Sequence, residues 1–198
     1  MVKAVSIILA AGHSVRMGRC KTMLPWRDGS TLLTYQIQEF VAVGVQPVVV
    51  LGPHNHQRSA PVDLPTAIQW TTNPAPETGK VSSILHGLDH LPSQWDAVFI
   101  SAVDQPRSAD VYRQLLAAFD VHHALITVPS YQHRTGHPAL FSRHLWPQLR
   151  AISDETHGLR HVVETYRDST HYVTMDTAEV LLDLNTPAQY EQARREFA

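Results

Sequence analysis

Leu9-Ala10-Ala11-Gly12-His13-Ser14-Val15-Arg16-Met17-Gly18-Arg19-Cys20-Lys21 follows an apolar run, Ala4-Val5-Ser6-Ile7-Ile8-Leu9, that reads as a buried first strand. The stretch places two glycines, two alanines, a serine and the cations Arg16, Arg19 and Lys21 in one strand-to-helix turn. A backbone with so few bulky side chains can wrap closely around a polyanion. Its N–H groups then point inward as donors, and the cations offset phosphate charge. A nucleoside triphosphate is the ligand that fits this description best. An ordinary glycine-rich turn is the bland alternative, because turns collect Gly and Ser anyway.

Three familiar loops are excluded. Gly12 and Gly18 stand one residue too far apart for a Walker A loop, and Lys21-Thr22 come too late after Gly18. No Gly-x-Gly pair opens a dinucleotide fingerprint. Arg16 occupies the place where a nucleophile elbow needs its second glycine.

Outward from this loop, strand-like and helix-like runs alternate. Thr31 to Val43 has helical apolar spacing and Val45–Leu51 reads as a strand, with Pro47 near its start. Ala67–Trp70 reads as a weak strand, Val81–His90 as a helix, and Asp96–Ser101 as a clear strand ending just before Asp104. Ala109–Phe119 (helix), Ala124–Val128 (strand) and Pro187–Phe197 (helix) complete the pattern. Such alternation predicts an α/β fold with a doubly wound, mostly parallel sheet in a single domain over 1–198. The stretch from about 131 to 168 is rich in His and Arg and less regular. It is expected to be an insertion on the acceptor side of the cleft. Ligands of such sheets bind beyond the carboxyl ends of the strands. The loop after the first strand and Asp104 after the 96–101 strand are therefore expected on one rim.

Bulk properties agree with a globular protein. A chain of 198 residues suits one sizeable core. A net charge of −2 argues against a general nucleic-acid binder. Cys20 is the only cysteine, so no internal disulfide can form, and it reads as an incidental small residue. Met1-Val2-Lys3 leads straight into a core strand and no apolar run approaches the ~18 residues of a membrane span. No targeting segment or membrane association is expected, and the cytoplasm is the expected compartment.

The loop resembles the signature L-A-A-G-x-S-x-R-M-G-x-x-K of nucleotidyltransferases that activate small phosphorylated molecules, most closely the molybdenum cofactor cytidylyltransferase branch of the molybdopterin nucleotidyltransferases. The resemblance continues through Leu24–Leu33 (L-P-W-x-G-x-x-L-L), Asn73-Pro74 with Gly79–Ile84, Asp104-Gln105-Pro106, Gly136–Phe141 (G-H-P-x-L-F) and Asp183–Pro187 (D-[IVL]-[DN]-T-P). Six motifs in order are far more specific than any one of them.

The resemblance implies CMP transfer from CTP to the phosphate monoester of molybdopterin, with release of pyrophosphate and Mg²⁺ as cofactor. It implies Leu9, Ala10, Ala11, Gly12, Ser14, Arg16, Lys21, Asn73, Ser82, Ser83 and Asp104 at the nucleotide. It implies Gln105, Gly136, His137, Pro138 and Arg160 at the acceptor, and a molybdoenzyme or its chaperone as a downstream partner.

The residues themselves argue for several of these roles. Asp104 and Asn185 are the expected metal ligands, since Mg²⁺ takes one or two protein oxygens beside phosphates and waters. A turn aspartate and a helix-start asparagine are their structural alternatives. Relatives of the cytidylyl type often carry Asp at the second position, so Asn185 makes the site one charge less negative. Lys21, with Arg16, is expected to be the main cation in the transition state. Ala10 and Ala11, where guanine-using relatives carry glycines, favour a pyrimidine base. Ser82 and Ser83 are expected to cap the 81–90 helix. Trp26 reads as packing. Thr156-His157 interrupt the motif around Asp154–Arg160, which loosens the assignment of Gly158 and Arg160. Thirteen histidines, with i, i+4 pairs at His133/His137 and His157/His161, raise zinc as a minor possibility. Alternative functions are a guanylyltransferase, a sugar-phosphate nucleotidyltransferase, or a non-catalytic molybdopterin carrier.

Overall fold

The computed structural model describes residues 2–59 and 68–198. In chain order the regular elements begin with β1 (Ala4–Leu9), α1 (Leu32–Val41), β2 (Gln46–Leu51), α2 (His56–Ser59), β3 (Gln69–Thr72) and α3 (Lys80–Asp89). They continue with β4 (Ala97–Ala102), α4 (Ala109–His122), β5 (Ile126–Tyr131), β6 (Arg134–Thr135), β7 (Ala139–Ser142), α5 (Trp146–Arg150), α6 (Leu159–Thr165), β8 (Thr170–Thr174) and α7 (Pro187–Phe197). Short 3-10 turns fill much of the rest, among them Val15–Met17 and Lys21–Met23 inside the glycine loop and Ala178–Leu181 before α7. Ala67, taken with the weak strand, lies outside the described residues; the strand begins at Gln69.

The sheet runs β3-β2-β1-β4-β7-β5-β6, and β8 pairs with β5. β3, β2, β1 and β4 are mutually parallel. β7 is antiparallel to both β4 and β5, and β8 returns parallel to β5. The mostly parallel, doubly wound sheet read from the alternation is the sheet observed. The 131–168 stretch, expected as an insertion, supplies β7, an inner strand between β4 and β5. Ala139-Leu140-Phe141-Ser142 is too short an apolar run to stand out, and neighbouring histidines and arginines mask it.

Two apolar cores flank the sheet. Ile8, Phe99 and Leu140 point to the side covered by α1, α4 and α7, where Phe40 stacks on Tyr112 at 3.9 Å between ring centroids. Ile7, Val98, Ile100 and Phe141 point to the side of α3, α5 and α6. The alternation of 98, 99 and 100 is the period-2 pattern of a strand covered on both faces. Helix ends are held individually. Thr31 caps α1, and Thr186 caps α7 in a reciprocal capping box with Gln189. Ser108, at the start of α4, sends its hydroxyl to Glu179, and Glu39 of α1 accepts the N–H of Ala109 in its place.

Gly87 lets α3 approach the sheet. A Cβ there would lie 2.5 Å from Cγ2 of the fully buried, β-branched Ile7. Overpacking a rigid core costs about 1–3 kcal/mol, while the helix preference of Ala over Gly returns at most about 1 kcal/mol. Gly87→Ala is therefore expected to destabilise the protein on balance, read as a lower urea midpoint with an unchanged m value.

Candidate active site

The rim predicted for ligands does gather the sequence motifs. Val103 N donates to Leu9 O (3.0 Å) and Ala10 N to Val50 O (2.8 Å), so the ends of β1, β2 and β4 are tied together. Asn55, buried just beyond β2, supports the glycine loop from below. Its Nδ2 donates to Ala10 O at 2.8 Å, and its Oδ1 accepts from Gly52 N at 2.9 Å. Within the loop, Ser14 adopts a left-handed conformation and its Oγ accepts the N–H of Lys21 at 3.2 Å. That bond turns the chain so that Lys21 points back across the rim.

Lys21 Nζ lies 2.6 Å from Asp104 Oδ2 and 3.3 Å from Asn185 Oδ1. Arg16 Nη2 donates to the same Asn185 oxygen at 3.2 Å. The Lys21 and Asp104 side chains are only 11% and 18% exposed, so this ion pair is partly shielded from water. Four residues from three distant parts of the chain thus form one cluster. Asn185 arrives there because Leu184 N donates to Asp104 O (2.9 Å), while Thr186, not Asn185, caps α7. Asp104 and Asn185 present hard oxygens to a point already taken by a positive charge, which is donor chemistry that suits Mg²⁺.

Beside the cluster opens a cavity of about 1360 Å³. Its floor is the sheet (Leu9, Ile100, Val128, Phe141), and Gln105, Gly136, His137 and Arg160 all line it. Lys80, His133, His157 and Arg167 add positive or titratable groups, set against Asp154 and Glu164. Arg160 is exposed on α6 and pairs with Glu164 at 2.8 Å. Pro138 is buried behind His137 after a cis peptide bond. Gly136 is required by a close approach, because a Cβ there would lie 2.4 Å from Val180 O.

The His137 ring reaches into this cavity. Crowding by protein, with Arg107 and Lys80 near, lowers its pKa below the ordinary histidine value. Burial also lowers His86, with His90 beside it, and His171, with His122 beside it. A histidine with a depressed folded pKa binds fewer protons folded than unfolded, so its stabilisation is present above about pH 6.5 and is lost on acidification. The melting temperature is expected to fall between pH 7.5 and pH 5, and His137→Gln to flatten part of that slope in a pH series of thermal melts.

Two expectations require correction. Ser82 and Ser83 do not cap α3: the cap position is Gly79, without a side-chain bond. Both serines sit inside the helix, with their hydroxyls on Nδ2 of the buried Asn73 at 2.9 and 3.0 Å. Asn73 Oδ1 in turn accepts from Ala75 N at 3.0 Å, so the trio braces the loop between β3 and α3. The i, i+4 histidine spacings also lose their meaning. His133 lies in the β5–β6 turn, and His157 precedes α6 with positive φ, so neither pair shares a helical face. Among the described residues no group of three or more His, Cys, Asp or Glu could hold a metal. Trp26 is buried between Tyr35 and Tyr190, as packing requires.

Sequence reasoning missed Arg107, Asn55 and Glu39. Arg107 follows Asp104-Gln105-Pro106 directly and could have been flagged by that adjacency. The other two sit in stretches without a motif.

A glycine loop, a shielded lysine–carboxylate pair and an adjoining cavity at the carboxyl ends of a parallel sheet define an enzyme of the nucleotidyltransferase class. The chain belongs to the MobA-like NTP transferase domain family, which matches residues 6–171. It is 27% identical over 196 residues to the molybdenum cofactor cytidylyltransferase of Escherichia coli (strain K12), covering 96% of this chain and 95% of that one. The crystal structure of Rv0371c from Mycobacterium tuberculosis H37Rv is similar with a TM-score of 0.83 at 24% identity, covering 98% of each chain. A complex of that protein with manganese has a TM-score of 0.76 at 21% identity, again covering 98% of each chain. Among the described residues no helix is long and apolar enough to cross a membrane.

Proposed function

We propose that this enzyme transfers the cytidylyl group of CTP to the phosphate monoester of molybdopterin, in the cytoplasm, and releases pyrophosphate. The observation that carries the reading is the contact of Lys21 Nζ with both Asp104 and Asn185 at the rim beside the cavity. The similarity to a cytidylyltransferase along nearly the whole chain supports the choice of substrates.

An acceptor phosphate has a second pKa of about 6 and is already an anionic nucleophile near neutral pH. One of its oxygens attacks the α-phosphorus in line. The bond from that phosphorus to the bridging oxygen breaks, pyrophosphate leaves with the electron pair, and a new phosphoanhydride forms. No general base is needed, and the protein's task is alignment and charge stabilisation. The amides and small residues of 9–14 receive the triphosphate, while Lys21 and Arg16 turn from the carboxamide and carboxylate toward phosphate oxygens. Asp104 and Asn185 would hold Mg²⁺, which when bound offsets phosphate charge. Buried Ala10 and Ala11 leave less room at the base than glycines, which favours cytosine. Gln105, Gly136, His137 and Arg160 form the acceptor wall with Pro138 buried behind it, and Asn73, Ser82 and Ser83 brace the nucleotide side.

Pyrophosphate release is the test, with CTP, GTP, ATP or UTP, Mg²⁺ and either molybdopterin or a sugar phosphate as acceptor. CTP with molybdopterin should be fastest. Preference for GTP would replace the cytidylyl assignment with a guanylyl one, preference for a sugar phosphate would replace the acceptor, and tight molybdopterin binding with no release from any nucleotide would indicate a carrier.

A further inference from the structure

Arg107 is completely buried, yet among the described residues no carboxylate forms an ion pair with it. Its guanidinium is satisfied by backbone carbonyls alone. Nε donates to His137 O (2.9 Å) and Nη1 to Pro106 O (2.7 Å). Nη2 donates to Val180 O (3.1 Å) and Leu182 O (2.8 Å). Burial lowers its pKa to about 10, so it remains charged at neutral pH. A charge withdrawn from water, hydrogen-bonded only to backbone dipoles and felt by Glu179, Asp183 and Asp104 only from beyond ion-pair distance, is costly. A neutral side chain of similar volume would fill the same core without that cost. What it would lack is the planar fork that joins several carbonyls at fixed angles.

The carbonyls come from three segments. One is the turn after β4 that carries Asp104. The second carries His137, whose own N–H donates to Val180 O at 2.9 Å. The third runs from 180 to 184 and delivers Asn185. We infer that Arg107 is a positioning residue that pins the acceptor loop and the Asn185 segment to the Asp104 turn, holding the acceptor and nucleotide sides of the reaction in register. The catalytic consequence rests on the transfer reading given above; the structural linkage does not.

Arg107→Lys keeps the charge but replaces the fork with a point donor. Hydrogen exchange is expected to rise on the order of tenfold at the amides of His137 and Leu184, with β1 and β4 amides unchanged. In the transfer assay kcat should fall by about 10²-fold, as for a misplaced reacting group. KM for the nucleotide should stay nearly constant, and the Mg²⁺ needed for half-activity should rise. Exchange that rises evenly over the sheet, or unchanged kcat and Mg²⁺ dependence with only a lower melting temperature, would overturn the inference. If wild-type protein releases no pyrophosphate, the transfer reading fails while exchange still decides the linkage. If Arg107→Lys does not fold, wild-type exchange in low denaturant decides it. The two amides should open together with one denaturant dependence, and separate openings would contradict the linkage.

Discussion

Lys21→Ala is expected to lower turnover by about 10² to 10³-fold, the effect of removing a preorganised charge from a transition state. In the free enzyme Lys21 neutralises Asp104 at 2.6 Å. On the proposed mechanism, an entering triphosphate offers the ammonium a more highly charged partner and frees the carboxylate for a divalent ion. Removing the amine therefore has two opposite consequences. Turnover collapses, while divalent-ion affinity in the absence of nucleotide rises, because the ion no longer competes with a resident cation. A lysine that only paired with Asp104 would predict the rise in ion affinity without the loss of turnover. The fold should survive: breaking a fully buried pair costs about 3–5 kcal/mol, and this pair keeps some contact with water. Lys21→Arg retains charge but not the compact geometry of an ammonium, and should fall between wild type and alanine. Steady-state kinetics on protein with a native circular dichroism melt, together with Mn²⁺ titration of the free enzyme, check both limbs.

The second large effect is expected at Asp104. Asp104→Asn preserves shape and can still accept from Lys21, but it removes the carboxylate that holds the divalent ion on the proposed mechanism. Turnover should drop at least about 10²-fold at low Mg²⁺, with partial recovery as Mg²⁺ is raised. Asp104→Ala lacks any oxygen there and should not recover. If Asp104→Asn keeps wild-type turnover at low Mg²⁺, Asp104 serves only to hold Lys21. Asn185→Asp is the informative partner, since it restores the second negative charge and should lower the Mg²⁺ concentration for half-activity.

The alternation of apolar runs made the sheet and its rim legible, because a strand covered on both faces must be apolar throughout, as in Ile7-Ile8-Leu9 and Val98-Phe99-Ile100. The convergence of Lys21 with Asp104 followed from topology, since both lie just beyond the carboxyl ends of neighbouring parallel strands, β1 and β4. What stayed hidden depends on pairing between distant segments. β7 is only four residues long and gains its place from two antiparallel partners, which no local pattern announces. The serines looked like caps because the apolar spacing places the helix start near Val81, whereas the cap is Gly79 and both serines lie in the first turn. Their bond to Asn73 is tertiary. Arg107 stands next to the Asp104-Gln105-Pro106 motif, but its burial and its bonds to the carbonyls of His137, Val180 and Leu182 are tertiary and no local pattern announces them.

Paramagnetic broadening tests the central claim most directly. Mn²⁺ is added with a non-hydrolysable CTP analogue to isotope-labelled enzyme, and amide resonances are followed. Loss of signal centred on Lys21, Asp104 and Asn185, and dependent on the nucleotide, is the result expected. Broadening centred on the surface histidine pairs His86/His90 or His122/His171, with the Lys21 and Asp104 amides unaffected, would contradict it.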